Sequence, residues 1–197
     1  MAKLKREFYQ RDTITVAREL LGKILVRVID NIEYKCRIIE TEAYTGVEDK
    51  ACHTYGGRKT LRTKTMWGEA GHVYVYMIYG MYYLLNIVTE AEESPCAVLI
   101  RKTEPIEPLE DMSILRYKKP YSMLTKSQIR GMGDGPGKVC RLLDIKKSED
   151  GTDLLGEEIY ILDSPAIAQE KILADKRINI DYAEEAKDYL YRFYILK

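Results

Sequence analysis

The sequence is poor in what metal and redox chemistry require. Its four cysteines, Cys36, Cys52, Cys96 and Cys140, stand far apart without a C-x-x-C pair, and only His53 and His72 could add imidazole ligands. Neither a structural zinc site nor a histidine-rich metal centre is expected, no cofactor is implied, and the thiols read as reduced. Net charge is missing too: 31 Lys+Arg balance 31 Asp+Glu. In a small protein that balance argues against a purely electrostatic binder of nucleic acid or anionic membrane, while allowing a locally basic face. No apolar run reaches membrane-spanning length, so no membrane partner is expected. Met1 to Arg6 is basic, but Glu7, Phe8, Tyr9, Gln10 and Arg11 follow in place of an apolar run, which predicts no secretory leader. The expectation is a soluble cytoplasmic protein, nucleoid-associated if the source is prokaryotic, and a monomer, since nothing demands an oligomer.

What is present suits a folded chain. The 197 residues are 46% hydrophobic with ordinary Gly and Pro content, enough for one domain with a proper core and unlike disordered or collagenous classes. The charge is unevenly spread. Residues 1–150 carry 25 Lys+Arg against 21 Asp+Glu, a balance of +4, and residues 151–197 carry 6 against 10, a balance of −4. Residues 112–147 hold nine bases and only Asp134 and Asp144 as acids, and Arg58, Lys59, Arg62 and Lys64 form a run without any acid. Such runs are usually just solvated, and they count only beside a chemically plausible site.

Asp12 can cap a helix over Thr13–Leu21, with Gly22 as its terminator. Lys23–Ile29 and Ile32–Tyr44 read as strands joined around Asp30-Asn31, His72–Tyr79 and Tyr82–Thr89 as a hairpin about Gly80-Met81, and Ala97–Lys102 and Glu158–Leu162 as further strands. Asp134-Gly135-Pro136-Gly137 looks like a helix start. This rhythm predicts an α+β fold: a single domain, 1–197, with a mainly antiparallel curved β-sheet, a protruding β-hairpin and flanking helices.

Two segments could carry chemistry. In Ile38-Ile39-Glu40-Thr41-Glu42-Ala43-Tyr44, a strand period of two puts Glu40, Glu42 and Tyr44 on one face, as at the rim of a cleft. Taken alone, such acids are more often a solvated strand end. In the second, Tyr74, Tyr76, Tyr79, Tyr82 and Tyr83 fall within ten residues. Tyrosine packs well in half-buried hairpins, yet aromatics beside basic runs also serve base stacking and wedge insertion. Asn86, polar within Leu84–Val88, needs a partner or a role. Between the two segments, residues 46–72 form a long stretch with few apolar side chains, as functional loops do. The turn Gly133–Lys138 fails the Walker spacing, because position 132 is Met, but it remains compatible with docking a DNA phosphate.

The strings Ile39–Tyr44 with Glu48-Asp49 and His53, Gly56-Gly57-Arg58, Tyr74–Tyr82 with Asn86, Val98–Arg101 and Gly135–Lys138 together resemble the alkyladenine (methylpurine, 3-methyladenine) DNA glycosylases, in order and spacing, from about Tyr9 to Phe193. The departures are Leu61 for a common proline, Asn179 for a common glycine and Tyr191 for a usual Trp, none of them expected on the pocket. The resemblance implies hydrolysis of the N-glycosidic bond of damaged purines in double-stranded DNA, without metal. Glu42 would be the general base on water, and Arg101 would help position it. Tyr44, His53 and Tyr76 would sandwich and hydrogen-bond the flipped base, and Asn86 would exclude normal guanine. Tyr79 would be the wedge filling the vacated stack, and Arg58, Thr60, Met66, Met81 and Lys138 would touch the backbone or groove. The expected lesions are 3-methyladenine and 7-methylguanine, with hypoxanthine and ethenoadenine as further candidates. A cationic base favours aromatic faces and is already an activated leaving group. DNA would meet one positive face, with the acidic C-terminal region turned away. A non-catalytic nucleic-acid binder, an N-glycosidase acting on RNA or nucleosides, and a helix-hairpin-helix glycosylase are the competing classes.

Overall fold

The computed structural model describes residues 1–196. After one helical turn, α1 (Arg6–Tyr9), the Asp12 carboxylate caps α2 (Thr13–Glu19) by accepting from the Thr15 N–H at 2.8 Å. The helix stops two residues before the expected Leu21, but Leu20 and Leu21 stay buried, and Gly22, at φ +87°, turns the chain into the sheet.

β1 (Ile24–Ile29) and β2 (Ile32–Tyr44) then pair antiparallel. Asp30 and Asn31 both hold positive φ, 50° and 63°, as a two-residue hairpin turn matching the strand twist requires. β3 (Val73–Ile78) and β4 (Tyr82–Thr89) form the predicted hairpin, whose loop is Tyr79-Gly80-Met81 rather than Gly80-Met81 alone. Its tip is exposed, and so protrudes. β5 (Cys96–Glu107) runs five residues beyond the expected Lys102, because β2 is long enough to pair it as far as Lys35 opposite Glu107.

Three helices follow, α3 (Leu109–Tyr117), α4 (Lys126–Arg130) and α5 (Pro136–Leu142), and then β6 (Ile159–Leu162), β7 (Ile172–Asp175) and β8 (Arg192–Ile195). Of these the sequence pattern anticipates only α5 and β6. β7 and β8 are four residues each and alternate weakly, so they become strands only by pairing with each other and, through β8, with β2.

All strands belong to one antiparallel sheet in the order β3-β4-β5-β2-β1-β6, with β8 and β7 added beside the second half of β2. Register shifts between β2 and β5 at Ile38/Glu40 and Glu40/Thr41 are bulges, which bend the sheet where β8 joins it. The concave core is filled by Val16 and Ala17 of α2, Leu20 just past its end, Val139 and Leu142 of α5, and Leu25, Ile38, Val75, Ile87 and Ile100 from the strands. Each large aliphatic side chain there contributes about 1.5–3 kcal/mol of burial. No helix among the described residues is long and apolar enough to cross a membrane.

For the site, the central fact is the position of β2. Along Glu40–Glu42 it is flanked by β5 on one edge and β8 on the other, with α2 on its face, where Thr41 Oγ1 donates to Ala17 O at 2.8 Å. The end of β2 is interior to the protein and not a solvated rim.

Candidate active site

Glu42 has no solvent-exposed surface, so the solvated-strand-end reading does not hold for it. Burial pushes its carboxyl above the ordinary glutamate range. Opposing that push, in order of size, are the Arg101 guanidinium, the Ile178 N–H, the Tyr44 hydroxyl and the Arg177 charge. Arg101 Nη1 lies 3.3 Å from Oε1, Ile178 N–H donates to Oε1 at 3.0 Å, and the Tyr44 hydroxyl donates to Oε2 at 2.8 Å. Arg101 also bridges to Glu40, its Nε 3.2 Å from Oε1, and Arg192 of β8 binds the same Glu40 oxygen at 3.1 Å. The two glutamates thus share a face, as the strand period predicts, but Glu40 is occupied in holding two arginines in place.

Glu42 sits in the wall of a cavity of about 470 Å³. That lies within the range of small-molecule sites, about 300–1,000 Å³. Of the sequence-selected residues, Glu42, Tyr44, His53, Met66, Tyr76, Tyr79, Asn86, Arg101 and Lys138 all line it. Strand pairing accounts for the gathering. β3, β4, β5 and β2 are neighbours, so Tyr76, Asn86, Arg101 and Glu42 come from four adjacent strands. The 46–72 stretch adds His53 and Met66, folded back through short helical turns at Gly46–Glu48, Tyr55–Gly57 and Lys64–Trp67 with Ala51, Cys52 and Met66 buried.

His53 and Tyr76 meet edge to face, ring centroids 4.5 Å apart at 80°, so as placed they wall the cavity from one side and leave no slot between them. His53 Nδ1 lies 3.0 Å from the Tyr74 hydroxyl, and Nε2 lies 3.5 Å from Arg62 Nη2. Arginine can only donate, so Nε2 is the acceptor and Nδ1 carries the proton toward Tyr74. Burial, and secondarily the Arg62 charge, pull the His53 pKa down to about 4, so the ring is neutral at physiological pH. Burial holds the Tyr44 and Tyr76 phenols protonated well beyond neutral pH. The Asn86 amide donates to Tyr74 O at 3.2 Å and Leu84 O at 3.4 Å, which leaves its carbonyl oxygen as the group it can turn to the cavity.

Other selected residues lie elsewhere. Arg58 and Thr60 line a second cavity that shares Cys52, His53 and Tyr182 with the first, and Met81 stands at the exposed hairpin tip. Lys138 is exposed in the first turn of α5, which the close approach of Gly137 to the Tyr82 ring seats against the hairpin.

Two expectations are corrected. The acidic C-terminal region is not turned away: Ile178, Asn179, Ile180 and Tyr182 line the main cavity, and Glu184 lines the second while pairing with Lys50 at 2.6 Å. The segment is carried there because β7 and β8 pair beside β2. For the same reason Asn179, one of the departures from the resembled pattern, does lie on the pocket, in a left-handed conformation at φ 61°. The sequence reading also missed Arg177, Asp49, Ile178 and Tyr74 as site elements. Asp49 stood inside a recognised string, but nothing in a linear pattern shows that an Arg 128 residues away is its partner. Among the described residues no three of His, Cys, Asp and Glu gather closely enough to hold a metal ion.

Comparison with known proteins identifies the family. The profile of the family described as Methylpurine-DNA glycosylase (MPG) matches residues 7–197. The chain is 53% identical over 197 residues to a protein of Desulfitobacterium hafniense (strain Y51), covering 99% of this chain and 96% of that one. It is 54% identical over 195 residues to one of Clostridium novyi (strain NT), at 99% and 96% coverage, and 52% identical over 193 residues to one of Clostridium acetobutylicum, at 98% and 94%. All three bear the name "Putative 3-methyladenine DNA glycosylase".

Proposed function

The chain belongs to the methylpurine-DNA glycosylase family, hydrolases of N-glycosyl bonds that remove alkylated bases in DNA repair, and on that premise we propose that it flips methylated purines out of duplex DNA and hydrolyses the bond joining them to the sugar, with Glu42 as the general base. The observation that carries the reading is one carboxylate without solvent exposure, held on both oxygens, in the wall of an aromatic cavity.

Extruding a nucleotide costs a few kcal/mol. Tyr79 is suited to offset that cost: it is 79% exposed at the hairpin tip, where its ring can occupy the space the nucleotide vacates. In the cavity Tyr44, Tyr76 and neutral His53 face the base. A neutral imidazole does not repel a cationic 3-methyladenine or 7-methylguanine, and the tyrosine faces attract one by cation–π interaction. The free carbonyl oxygen of Asn86 tests the exocyclic groups of the base, the 2-amino group of guanine among them. Water, activated by loss of a proton to Glu42, attacks C1′. The glycosidic bond breaks with its electron pair passing to the purine nitrogen, so a cationic base leaves neutral without an acid's help. The Glu42 charge stabilises the oxocarbenium-like transition state, and Arg101 keeps the carboxylate aligned. A carboxyl pushed upward by burial is a stronger base than a free glutamate, provided it remains ionised at the working pH. Lys138, Arg58, Thr60 and Met81 supply backbone and groove contacts in this reading, and binding weakens as salt rises, whereas Met66, expected among them, is buried in the cavity wall and out of reach of the groove.

The test is base release from duplexes that each carry one defined lesion. Glu42→Gln is expected to bind a 7-methylguanine duplex like the original protein and to release no base. Release at the original rate would rule out the mechanism. Tyr79→Gly is expected to slow excision from duplex but not from single-stranded DNA. Equal loss on both would remove the wedge role and favour a nucleoside-type substrate.

A further inference from the structure

Arg177 and Asp49 make the only ion pair among the described residues in which neither side chain has any exposure. The guanidinium engages as a fork. Nη1 donates to Asp49 Oδ2 at 2.5 Å and to Ala43 O at 2.9 Å, while Nη2 donates to Asp49 Oδ1 at 2.8 Å and to Ala186 O at 3.1 Å. Its Cζ lies 4.8 Å from the Tyr44 ring centre and 5.3 Å from that of Tyr191. Asp49 in turn accepts the Thr45 N–H at 3.1 Å and the Ala51 N–H at 3.0 Å.

Two partners of this pair, and the residue that follows Arg177, adjoin Glu42 directly. Ala43 follows it in β2, Tyr44 donates to it, and Ile178, the residue after Arg177, donates its N–H to Oε1 at 3.0 Å. Stability alone gives no reason for such a pair, since buried ion pairs are often replaced by apolar residues without loss. A fork is useful where geometry must be held, because two parallel bonds fix a plane and not just a distance.

We propose that the Arg177–Asp49 pair is a positioning device for catalysis, clamping residues 176–180 to the end of β2 so that the Ile178 N–H stays aimed at Glu42. The inference rests on the reading of Glu42 as the base. The other charged or titratable groups facing Glu42 are Arg101 from β5 and Tyr76 from β3, together with Tyr44 on its own strand, and none of them orients Ile178. Without the clamp the carboxylate loses a donor and a nearby cation together. Both losses favour its protonated form, so the acid limb of the rate moves to higher pH.

The experiment is single-turnover excision of 7-methylguanine from duplex DNA against pH, with lesion-duplex affinity and thermal unfolding measured alongside. The double variant Arg177→Met/Asp49→Leu replaces the pair with apolar volume, as tolerated in other buried pairs. It is expected to unfold cooperatively and bind the duplex, but to excise about tenfold or more slowly at neutral pH, the loss of one charge-assisted hydrogen bond. Its acid limb should lie at higher pH. An unchanged rate and limb, or a slower rate with the limb unmoved, overturns the positioning role. Arg177→Lys decides the matter should the double variant fail to fold: it keeps the charge and gives up the fork, so a severalfold slower rate is expected and an unchanged one overturns the proposal. Glu42→Gln, run in parallel, separates the two readings. If it still releases base, the assignment of the base fails. If it is inactive while the pair variants behave like the original protein, only the clamp fails.

Discussion

Tyr44 donates its hydroxyl hydrogen to Oε2 of Glu42 at 2.8 Å, from two positions further along the same strand. The strand period puts both side chains on one face and both line the cavity, so one residue both walls the pocket and hydrogen-bonds the carboxylate in it.

Removing that bond should show in the pH profile. Glu42 acts as a base only when ionised, so activity is present above its folded pKa and lost as pH falls through it. Burial pushes that pKa up and the Tyr44 hydroxyl is among the groups holding it down. Tyr44→Phe removes one stabiliser of the charged form. Single-turnover excision is expected to fall severalfold at neutral pH, with its acid limb displaced to higher pH. A limb displaced downward would contradict the arrangement.

The same raised pKa has a cost in stability. A carboxyl harder to ionise in the fold than in the unfolded chain destabilises the fold as pH rises from the unfolded pKa through the folded one. Glu42→Gln is therefore expected to melt higher than the original protein at neutral pH, with the difference closing below the ordinary glutamate range, where both states are protonated. Differential scanning calorimetry at several pH values measures this, and it is the usual relation between a strained catalytic group and stability.

His53 should titrate late. With its pKa pulled down to about 4 by burial and the Arg62 charge, its ring resonances by NMR should stay neutral-like through pH 6 and shift only near that value. Folding stability associated with it is present above the unfolded histidine pKa, about 6.5, and declines as pH falls toward about 4. Arg62→Ala is expected to raise the midpoint, and a normal midpoint in the original protein would mean that the ring is open to water.

Gly133 has no room for a side chain. A Cβ there would overlap Thr103 O and lie 2.6 Å from its Oγ1, on β5 beside the start of α5. Gly133→Ala is expected to destabilise by about 1–3 kcal/mol, read as a lower Tm. It should also weaken duplex binding, since the shift falls on the turn that presents Lys138.

Much of this is legible in the sequence. The hairpin, β2 and α5 announce themselves through local rules: Asp-Asn at a two-residue turn, alternation along β2, and Pro in the first turn of a helix. The residues of the recognised strings lie in one cavity because the strands carrying them are neighbours in the sheet. The extension of β5, and β7 and β8, were not legible, because short or bulged strands take their form from the partner they meet and not from their own pattern.

The sequence by itself determined the chemical inventory: which carboxylates, aromatics and bases are available, that metal ligands are scarce, and which hairpin carries the exposed tyrosine. Only the tertiary structure decided their environments. Glu42 and Glu40 look alike in the sequence, yet one is without exposure with its pKa raised and the other braces two arginines. Arg177 looks like one more charge in an acidic tail, yet it meets Asp49 beneath the site. The reason is physical: a residue's chemistry is set by what surrounds it within a few ångströms, and most of those neighbours are distant along the chain.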